Sequence, residues 1–220
     1  AFDYPGSFLA KKVWHLDRRT PHPRALKEAV SILTNAQKPL IVAGGGVHYS
    51  QSAETLRAFS ETFGIPVSET QAGKSAMSWK DPMSVGAVGV TGTSAANLLA
   101  KAADVVLVVG SRLQDFTTAS KQVFASDVIL LHLNVSKFDG LKMDSIMLQA
   151  DAKSGLESLK EELSKAGFQT STEYRDRVAK LQSEWNAEVD RLYNLTSEDG
   201  NVQTSIVGTL NEFMAPEDVV

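Results

Sequence analysis

Glycines and small polar residues recur in this chain wherever a short apolar segment ends. Glycines let an anionic group approach the backbone, and N–H groups at the start of a helix favour phosphate. Each single glycine could equally be an ordinary turn residue. The residues in question are Gly44, Gly45, Gly46, Thr70, Gln71, Gly73, Gly89, Gly92, Thr93, Gly110, Ser111, Arg112, Asp115, Asn134, Ser136 and Asp151. Together they indicate a nucleotide-shaped crevice, which could still be empty.

The familiar phosphate-binding motifs are not matched. A GxGxxG fingerprint that began at Gly44 would need its third glycine where Tyr49 stands. The stretch AGKSA at 72–76 imitates the end of a P-loop, but that loop would need a glycine in place of Ser68. We therefore predict neither a dinucleotide fingerprint nor a P-loop.

A few charged and titratable residues are candidates for chemistry. Arg112 could hold a phosphate or could pair with Asp115. Glu69, at a strand end, could act as a base, although a structural role is favoured. The four histidines lack metal-ligand spacing, and His132, within an apolar strand, is interpreted as a core histidine with satisfied hydrogen bonds. The sequence therefore predicts no catalytic residue and no metal site.

Helices alternate with strands that are apolar on both sides. Strands are predicted within 39–46, 65–70, 85–90, 104–110, 128–134 and 145–151, and helices over 24–36, 53–64, 94–103 and 153–166. Strands of this kind are typical of a parallel sheet that is covered on both faces. We predict an α/β three-layer sandwich, with a Rossmann-like parallel sheet of about six strands and helices on both faces.

The two ends of the chain differ from this pattern. Residues 1–22 are irregular and are interpreted as a linker from a preceding domain, with 23–168 as the central dinucleotide-fold domain. Apolar residues at helical spacing from Tyr174 to Leu192 predict one long amphipathic helix, and 203–213 predicts another. We interpret 169–220 as a helical linker and the start of a further domain. With no initial Met and an abrupt end, we expect a piece of a longer polypeptide.

Composition narrows the function classes. The chain has 220 residues, 43% hydrophobic and 22% charged, with a net charge of −4 and no cysteine. The charge argues against nucleic acid as a partner, and the missing cysteine rules out disulfides and thiolate metal sites within the chain. No apolar stretch approaches the roughly 20 residues of a membrane span. We expect a cytoplasmic protein without nucleic-acid or membrane partners.

Three segments carry a resemblance to a known family. They are ETQAGKSAMSW at 69–79, GAVGVTGTSAANLLAKAADVVLVVGSRLQDFTTAS at 86–120 and HLNVSKFDG at 132–140. They resemble the central region of the thiamine-diphosphate-dependent acetolactate-synthase superfamily, over about 1–215. This resemblance implies three α/β domains, with the catalytic glutamate in the first and the magnesium motif GDG in the third. The quartet Glu198-Asp199-Gly200-Asn201 is a poor imitation of that motif, so the chain alone is expected to be inactive.

The resemblance also implies an activity and a cofactor. The activity is hydrolytic ring opening of a trihydroxycyclohexane-1,2-dione to 5-deoxyglucuronate in inositol breakdown, by a full-length homodimer or homotetramer that binds thiamine diphosphate and Mg²⁺ outside this chain. The alternatives are an acetolactate-synthase-like carboligase with FAD in the central crevice, and a free-standing nucleotide-binding or structural module. By likeness, the FAD contacts would be Gly44, Gly45, Thr70, Gln71, Gly92, Thr93, Gly110, Arg112, Asp115 and Asn134.

Overall fold

The fold is built on one parallel sheet. The structure, a computed structural model, describes residues 2–15, 17–197, 200, 202–215 and 218. Its strands are β1 (Pro39–Ala43), β2 (Val67–Glu69), β3 (Ser84–Ala87), β4 (Val105–Val109), β5 (Ile129–Asn134) and β6 (Ile146–Gln149). All pairings are parallel, and the order across the sheet is β3-β2-β1-β4-β5-β6. The predicted six-stranded parallel sheet is confirmed, and its order is that of dinucleotide-binding folds.

Helices cover both faces of the sheet. They are α1 (Pro23–Asn35), α2 (Gly46–Tyr49), α3 (Ala53–Phe63), α4 (Ser94–Ala102), α5 (Asp115–Thr118), α6 (Lys137–Leu141), α7 (Ala152–Lys165), α8 (Thr172–Tyr193) and α9 (Gln203–Phe213). The long helices α1, α3 and α7 pack on one face, whereas α4 and α8 pack on the other. The predicted three-layer arrangement and the two C-terminal helices are therefore confirmed.

Two hydrophobic clusters explain why the central strands are apolar throughout. Successive side chains of a strand point to opposite faces of the sheet. In β4, Leu107 and Val109 belong to the cluster beneath α1, α3 and α7. Val106 and Val108 belong to the cluster beneath α4 and α8. Because each face is covered, every residue of this strand is buried.

Helix α8 is fixed to the sheet by two polar contacts in addition to apolar packing. The hydroxyl of the buried Tyr174 donates to the carbonyl of Pro39 at 2.9 Å. Further along, Gln182 donates to the carbonyl of Ser84 at 2.6 Å. These bonds join the helix to the first residue of β1 and the first residue of β3, so the long predicted helix lies across the sheet.

The structure departs from the predicted elements at several loops. Strand β3 ends at Ala87 rather than at residue 90, because Gly89 has φ 104° and its N–H and carbonyl both bond to the side chain of Asn97. Helices α2, α5 and α6 were not predicted, since four or five residues are too few to show helical periodicity. Two short 3₁₀ turns, Gly6–Phe8 and Gln71–Gly73, were not predicted either.

Some residues of the predicted C-terminal region lie outside the described residues. Residues 198, 199 and 201 of the quartet compared with the magnesium motif lie outside the described residues, as do 216, 217, 219 and 220. The division into a linker, a central domain and the start of a further domain stays a prediction.

Candidate functional site

A crevice opens at the carboxyl edge of the sheet. Its volume is about 550 Å³, and it lies at the loops that follow the adjacent strands β1 and β4, where the strand order reverses direction. Ligands of open parallel sheets bind at such a switch point. The lining residues are Gly45, Gly46, Tyr49, Thr70, Gln71, Ala72, Gly110, Ser111, Arg112, Gln114, Phe116, Thr117, Asn134, Val135, Ser136 and Asp139.

Glycines allow the two central loops to touch through their backbones. A Cβ on Gly44 would lie 2.5 Å from the carbonyl oxygen of Gly110, and a Cβ on Gly46 would lie 2.6 Å from the Cα of Gly110. Gly110 itself has φ 59°, a conformation that favours glycine. Side chains at these positions would push the loops apart, so the glycines determine the shape of the crevice floor.

Several backbone donors at the floor have no protein acceptor. The N–H of Gly44 bonds to the carbonyl of Val109, and that of Gly46 bonds to the carbonyl of Gly110. In contrast, the N–H groups of Gly45, Ser111 and Arg112 donate to no acceptor among the described residues. Such groups normally find a partner, either in the protein or in what binds it, so they are available to an anionic ligand.

Among the described residues that line the crevice, Arg112 has the only cationic side chain. The side chain is exposed, and it forms no ion pair or side-chain hydrogen bond with any described residue. The alternative partner, Asp115, instead accepts from the hydroxyl of Ser120 at 3.2 Å. The pair between Arg112 and Asp115 is therefore absent from the described part of the chain, and the guanidinium is free for a ligand.

A buried polar network lies beneath the loop that carries Arg112. The Asn134 amide donates to the carbonyl of Ser111 at 3.0 Å, and the Asn134 carbonyl oxygen accepts from the N–H of Ser136 at 3.0 Å. The Nε2 of the fully buried His132 lies 2.7 Å from the same Ser111 carbonyl. Because a carbonyl can only accept, Nε2 carries the proton. Two donors on one carbonyl hold the Ser111 loop in place.

The prediction for His132 was right in part. It is a core residue, and burial lowers its pKa, so the ring is neutral. The expectation that its hydrogen bonds would all be satisfied is wrong, because its Nδ1 has no partner among the described residues. An apolar strand pattern predicts burial but cannot show which neighbours reach each ring nitrogen.

The structure brings only some of the predicted contacts to the crevice. Those that line it are Gly45, Thr70, Gln71, Gly110, Arg112 and Asn134. Gly44, Gly92, Thr93 and Asp115 are not among the lining residues. The Thr93 hydroxyl accepts from the N–H of Ala96 at 3.0 Å and donates to the carbonyl of Val85 at 2.6 Å. It therefore caps α4 and joins that helix to β3.

Two aromatic residues that line the crevice were not predicted from the sequence. Tyr49 on α2 is 93% exposed, and Phe116 on α5 is 45% exposed. Both lie on helices of only four residues, which carry no periodic signal. In the sequence, Tyr49 stands out only as the residue that breaks the glycine fingerprint. An aromatic residue just after a glycine-rich strand end is the one signal that could have suggested it.

Glu69 has a structural role in this fold. Its buried carboxylate accepts from the N–H of Met77 at 2.7 Å and from the N–H of Ser75 at 3.3 Å. Burial raises its pKa, although the two hydrogen bonds oppose that rise. The carboxylate thus anchors the loop after β2, beside a second cavity of about 690 Å³ that Trp79 also lines.

The described residues contain neither a metal-binding cluster nor a membrane-spanning helix. No group of three or more His, Cys, Asp or Glu side chains there is arranged to hold a metal ion. None of the described helices is both long enough and apolar enough to cross a membrane.

Comparison with known proteins confirms the resemblance. The profile of a family described as "Thiamine pyrophosphate enzyme, central domain" matches residues 26–159. The chain is 43% identical over 208 residues to 3D-(3,5/4)-trihydroxycyclohexane-1,2-dione hydrolase of Clostridium tetani, which covers 94% of this chain and 32% of that protein. Proteins of the same name from Bacillus anthracis and Geobacillus thermodenitrificans are 41% and 43% identical, over 96% of this chain and 33% and 32% of their own lengths.

The chain thus spans about a third of the length of the curated relatives it matches. The matched profile covers more than half of the chain, and it includes the sheet, the crevice and most of α7. The chain belongs to the thiamine pyrophosphate enzyme family, in which it corresponds to the central domain.

Proposed function

We propose that this chain is the central domain of an enzyme that opens the ring of trihydroxycyclohexane-1,2-dione by hydrolysing a C–C bond, giving 5-deoxyglucuronate. The observation that carries the proposal is the identity of 41–43%, over nearly the whole chain, to proteins named as hydrolases of that dione. These names favour the hydrolase over the carboligase. Deleting the encoding gene should abolish ring opening of the dione in cell extracts, and unaltered ring opening would contradict the proposal.

In this proposal the chain supports chemistry that takes place on flanking domains. When bound, thiamine diphosphate supplies a nucleophilic carbon for C–C cleavage. Glu69 is a poor candidate for activating it, because backbone N–H groups already occupy its carboxylate. We place the thiamine and Mg²⁺ sites in domains that join this one through 1–22 and 169–220, in a cytoplasmic homodimer or homotetramer.

We further propose that the crevice binds the phosphate portion of an anionic nucleotide. Three backbone N–H groups without acceptors, at Gly45, Ser111 and Arg112, support this, as does the unpaired guanidinium. The carboxylate on the crevice wall, Asp139, lies 3.6 Å from the ammonium of Lys142, which offsets its repulsion of an anion. These residues fit the diphosphate of FAD and fit ADP or ATP equally well.

Titration calorimetry tests the crevice. FAD, ADP and ATP are titrated into the wild-type chain and into Arg112→Ala, and the purified protein is checked for flavin absorbance. We expect Arg112→Ala to weaken binding by about 1.5–3 kcal/mol, the range for a hydrogen bond to a charged group. Arg177→Ala, which removes an exposed arginine of α8, is the matched control and should bind as the wild type does. No binding by the wild type at millimolar ligand would leave the crevice with a structural role only.

A further inference from the structure

Arg18, in the irregular segment before α1, connects three parts of the chain. Its Nη1 donates to the carbonyl and to the hydroxyl oxygen of Ser50, the residue that caps the end of α2. The same nitrogen lies 3.1 Å from a carboxylate oxygen of Asp151, the residue that caps the start of α7. One side chain therefore joins the incoming segment to the ends of two helices.

Ser50 and Asp151 are also bonded to each other. The Ser50 hydroxyl donates to Asp151 Oδ1 at 2.9 Å and accepts from the N–H of Lys153 at 2.9 Å. The N–H of Asp151 donates to the carbonyl of Arg19 at 2.9 Å. Ser50 is only 4% exposed, and the Asp151 side chain only 14%. The Arg18 side chain is 40% exposed, but its two partners are largely buried and bonded several times. This network therefore differs from an isolated surface ion pair, which contributes little.

The network adjoins the crevice through Tyr49. That side chain lines the crevice and directly precedes Ser50. Helix α2 has only four residues, so its own hydrogen bonds cannot hold it in place. Its position depends on contacts with its surroundings: Val47 is buried in the core, and His48 Nε2 lies 2.9 Å from the carbonyl of Lys74. Both ends of the helix are bonded as well. At one end the N–H of Gly46 bonds to the carbonyl of Gly110, and at the other Arg18 and Asp151 bond to Ser50.

We propose that Arg18 is a positioning residue that couples the 17–22 segment to the Tyr49 wall of the crevice. Ordering of the segment and occupation of the crevice then favour each other, since coupling between two sites is reciprocal. The ligand half of this inference rests on the proposed nucleotide binding, whereas the coupling of the segment to the wall does not. Arg18 itself does not line the crevice.

Hydrogen exchange and ADP titration on the 220-residue chain test the coupling. Arg18→Ala is compared with Arg19→Ala, which removes the neighbouring charge but leaves the backbone carbonyl that bonds to Asp151. We expect Arg18→Ala to speed amide exchange in 46–52 and at Asp151, whose N–H bonds to the Arg19 carbonyl, and to raise the Kd for ADP about fivefold or more. Arg19→Ala should change neither quantity, and Arg18→Lys, which keeps one charged donor, should restore part of both.

The outcomes separate the two proposals. If Arg18→Ala speeds exchange at Asp151 but leaves exchange in 46–52 and the Kd for ADP equal to those of Arg19→Ala, the positioning role is overturned. If the wild-type chain binds no ADP, nucleotide binding fails, and exchange in 46–52 alone decides the coupling. Faster exchange throughout the sheet in Arg18→Ala would mean general destabilisation and would also overturn the proposal.

Discussion

At the scale of single residues, the groups that shape the crevice lie beneath it as well as on its surface. His132 and Asn134 both donate to the carbonyl of Ser111, and Arg112 is the next residue along the chain. The buried Leu113, with φ 46°, follows Arg112, and its N–H donates to the Ser111 hydroxyl. Arg112 is therefore held between two fixed neighbours while its own side chain remains in solvent.

The depressed pKa of His132 predicts a pH dependence of stability. Burial lowers its folded-state pKa below the ordinary 6.5, so the unfolded chain binds more protons once the pH falls below about 6.5. The sign follows from proton linkage: stability is lost as pH falls through this range, by at most about 1.4 kcal/mol per pH unit. Chemical denaturation at a series of pH values measures this loss.

His132→Gln is the matching variant, because glutamine keeps an N–H donor for Ser111 but does not titrate near neutral pH. Its stability should vary less between pH 6.5 and mildly acidic conditions than that of the wild type. His15→Gln, at an exposed residue of the irregular N-terminal segment, is the matched control. Equal slopes in wild type and His132→Gln would refute the assignment to His132.

At the scale of elements, the loops after β1 and β4 make close backbone contact at the floor of the crevice. Gly46→Ala should destabilise the chain by about 1–3 kcal/mol, because the added Cβ would lie 2.6 Å from Gly110 Cα and backbone must shift to accept it. Gly6→Ala is the control, since nothing lies within 4 Å of a Cβ there. Urea unfolding of both variants checks this, and a similar midpoint for the two would contradict it.

The docking of α8 gives a second prediction at this scale. Tyr174→Phe removes the hydroxyl that donates to Pro39 and leaves that carbonyl without this donor. We expect a loss of about 1–2 kcal/mol in the free energy of unfolding, typical of one broken buried hydrogen bond. Tyr49→Phe, on a side chain that is 93% exposed, should change stability little. Thermal unfolding distinguishes the two, and equal effects would show that the Pro39 contact contributes nothing.

At the scale of the whole molecule, the chain is one part of a longer catalytic arrangement in the proposed function. We predict that the 220-residue chain supplied with thiamine diphosphate and Mg²⁺ does not open the dione ring, because the residues expected to activate and anchor the cofactor belong to the flanking domains. A coupled assay for the ring-opened product measures this. Detectable turnover by this chain alone would contradict the assignment of the cofactor-binding residues to the flanking domains.

The fold class and the family could both be predicted from local sequence. Strands that are apolar at every position, such as β4, indicate burial on both faces, and their alternation with helices predicts the parallel sheet. The segments around Gly92 and Arg112 carry the family resemblance, which the profile match confirms. These features are local, because burial periodicity and motif spacing depend only on residues that are close together in the chain.

The composition of the site was decided only by tertiary structure. Strand order places the loops after β1 and β4 against each other, and no local pattern contains that order. Gly92 and Thr93 resemble an anion site in sequence, yet hydrogen bonds to Val85 and Ala96 occupy the Thr93 hydroxyl. Tyr49 lines the crevice from a helix whose end bonds to Arg18 and Asp151 through Ser50. Such contacts join residues far apart in the chain, so their partners are determined only when the sheet has assembled.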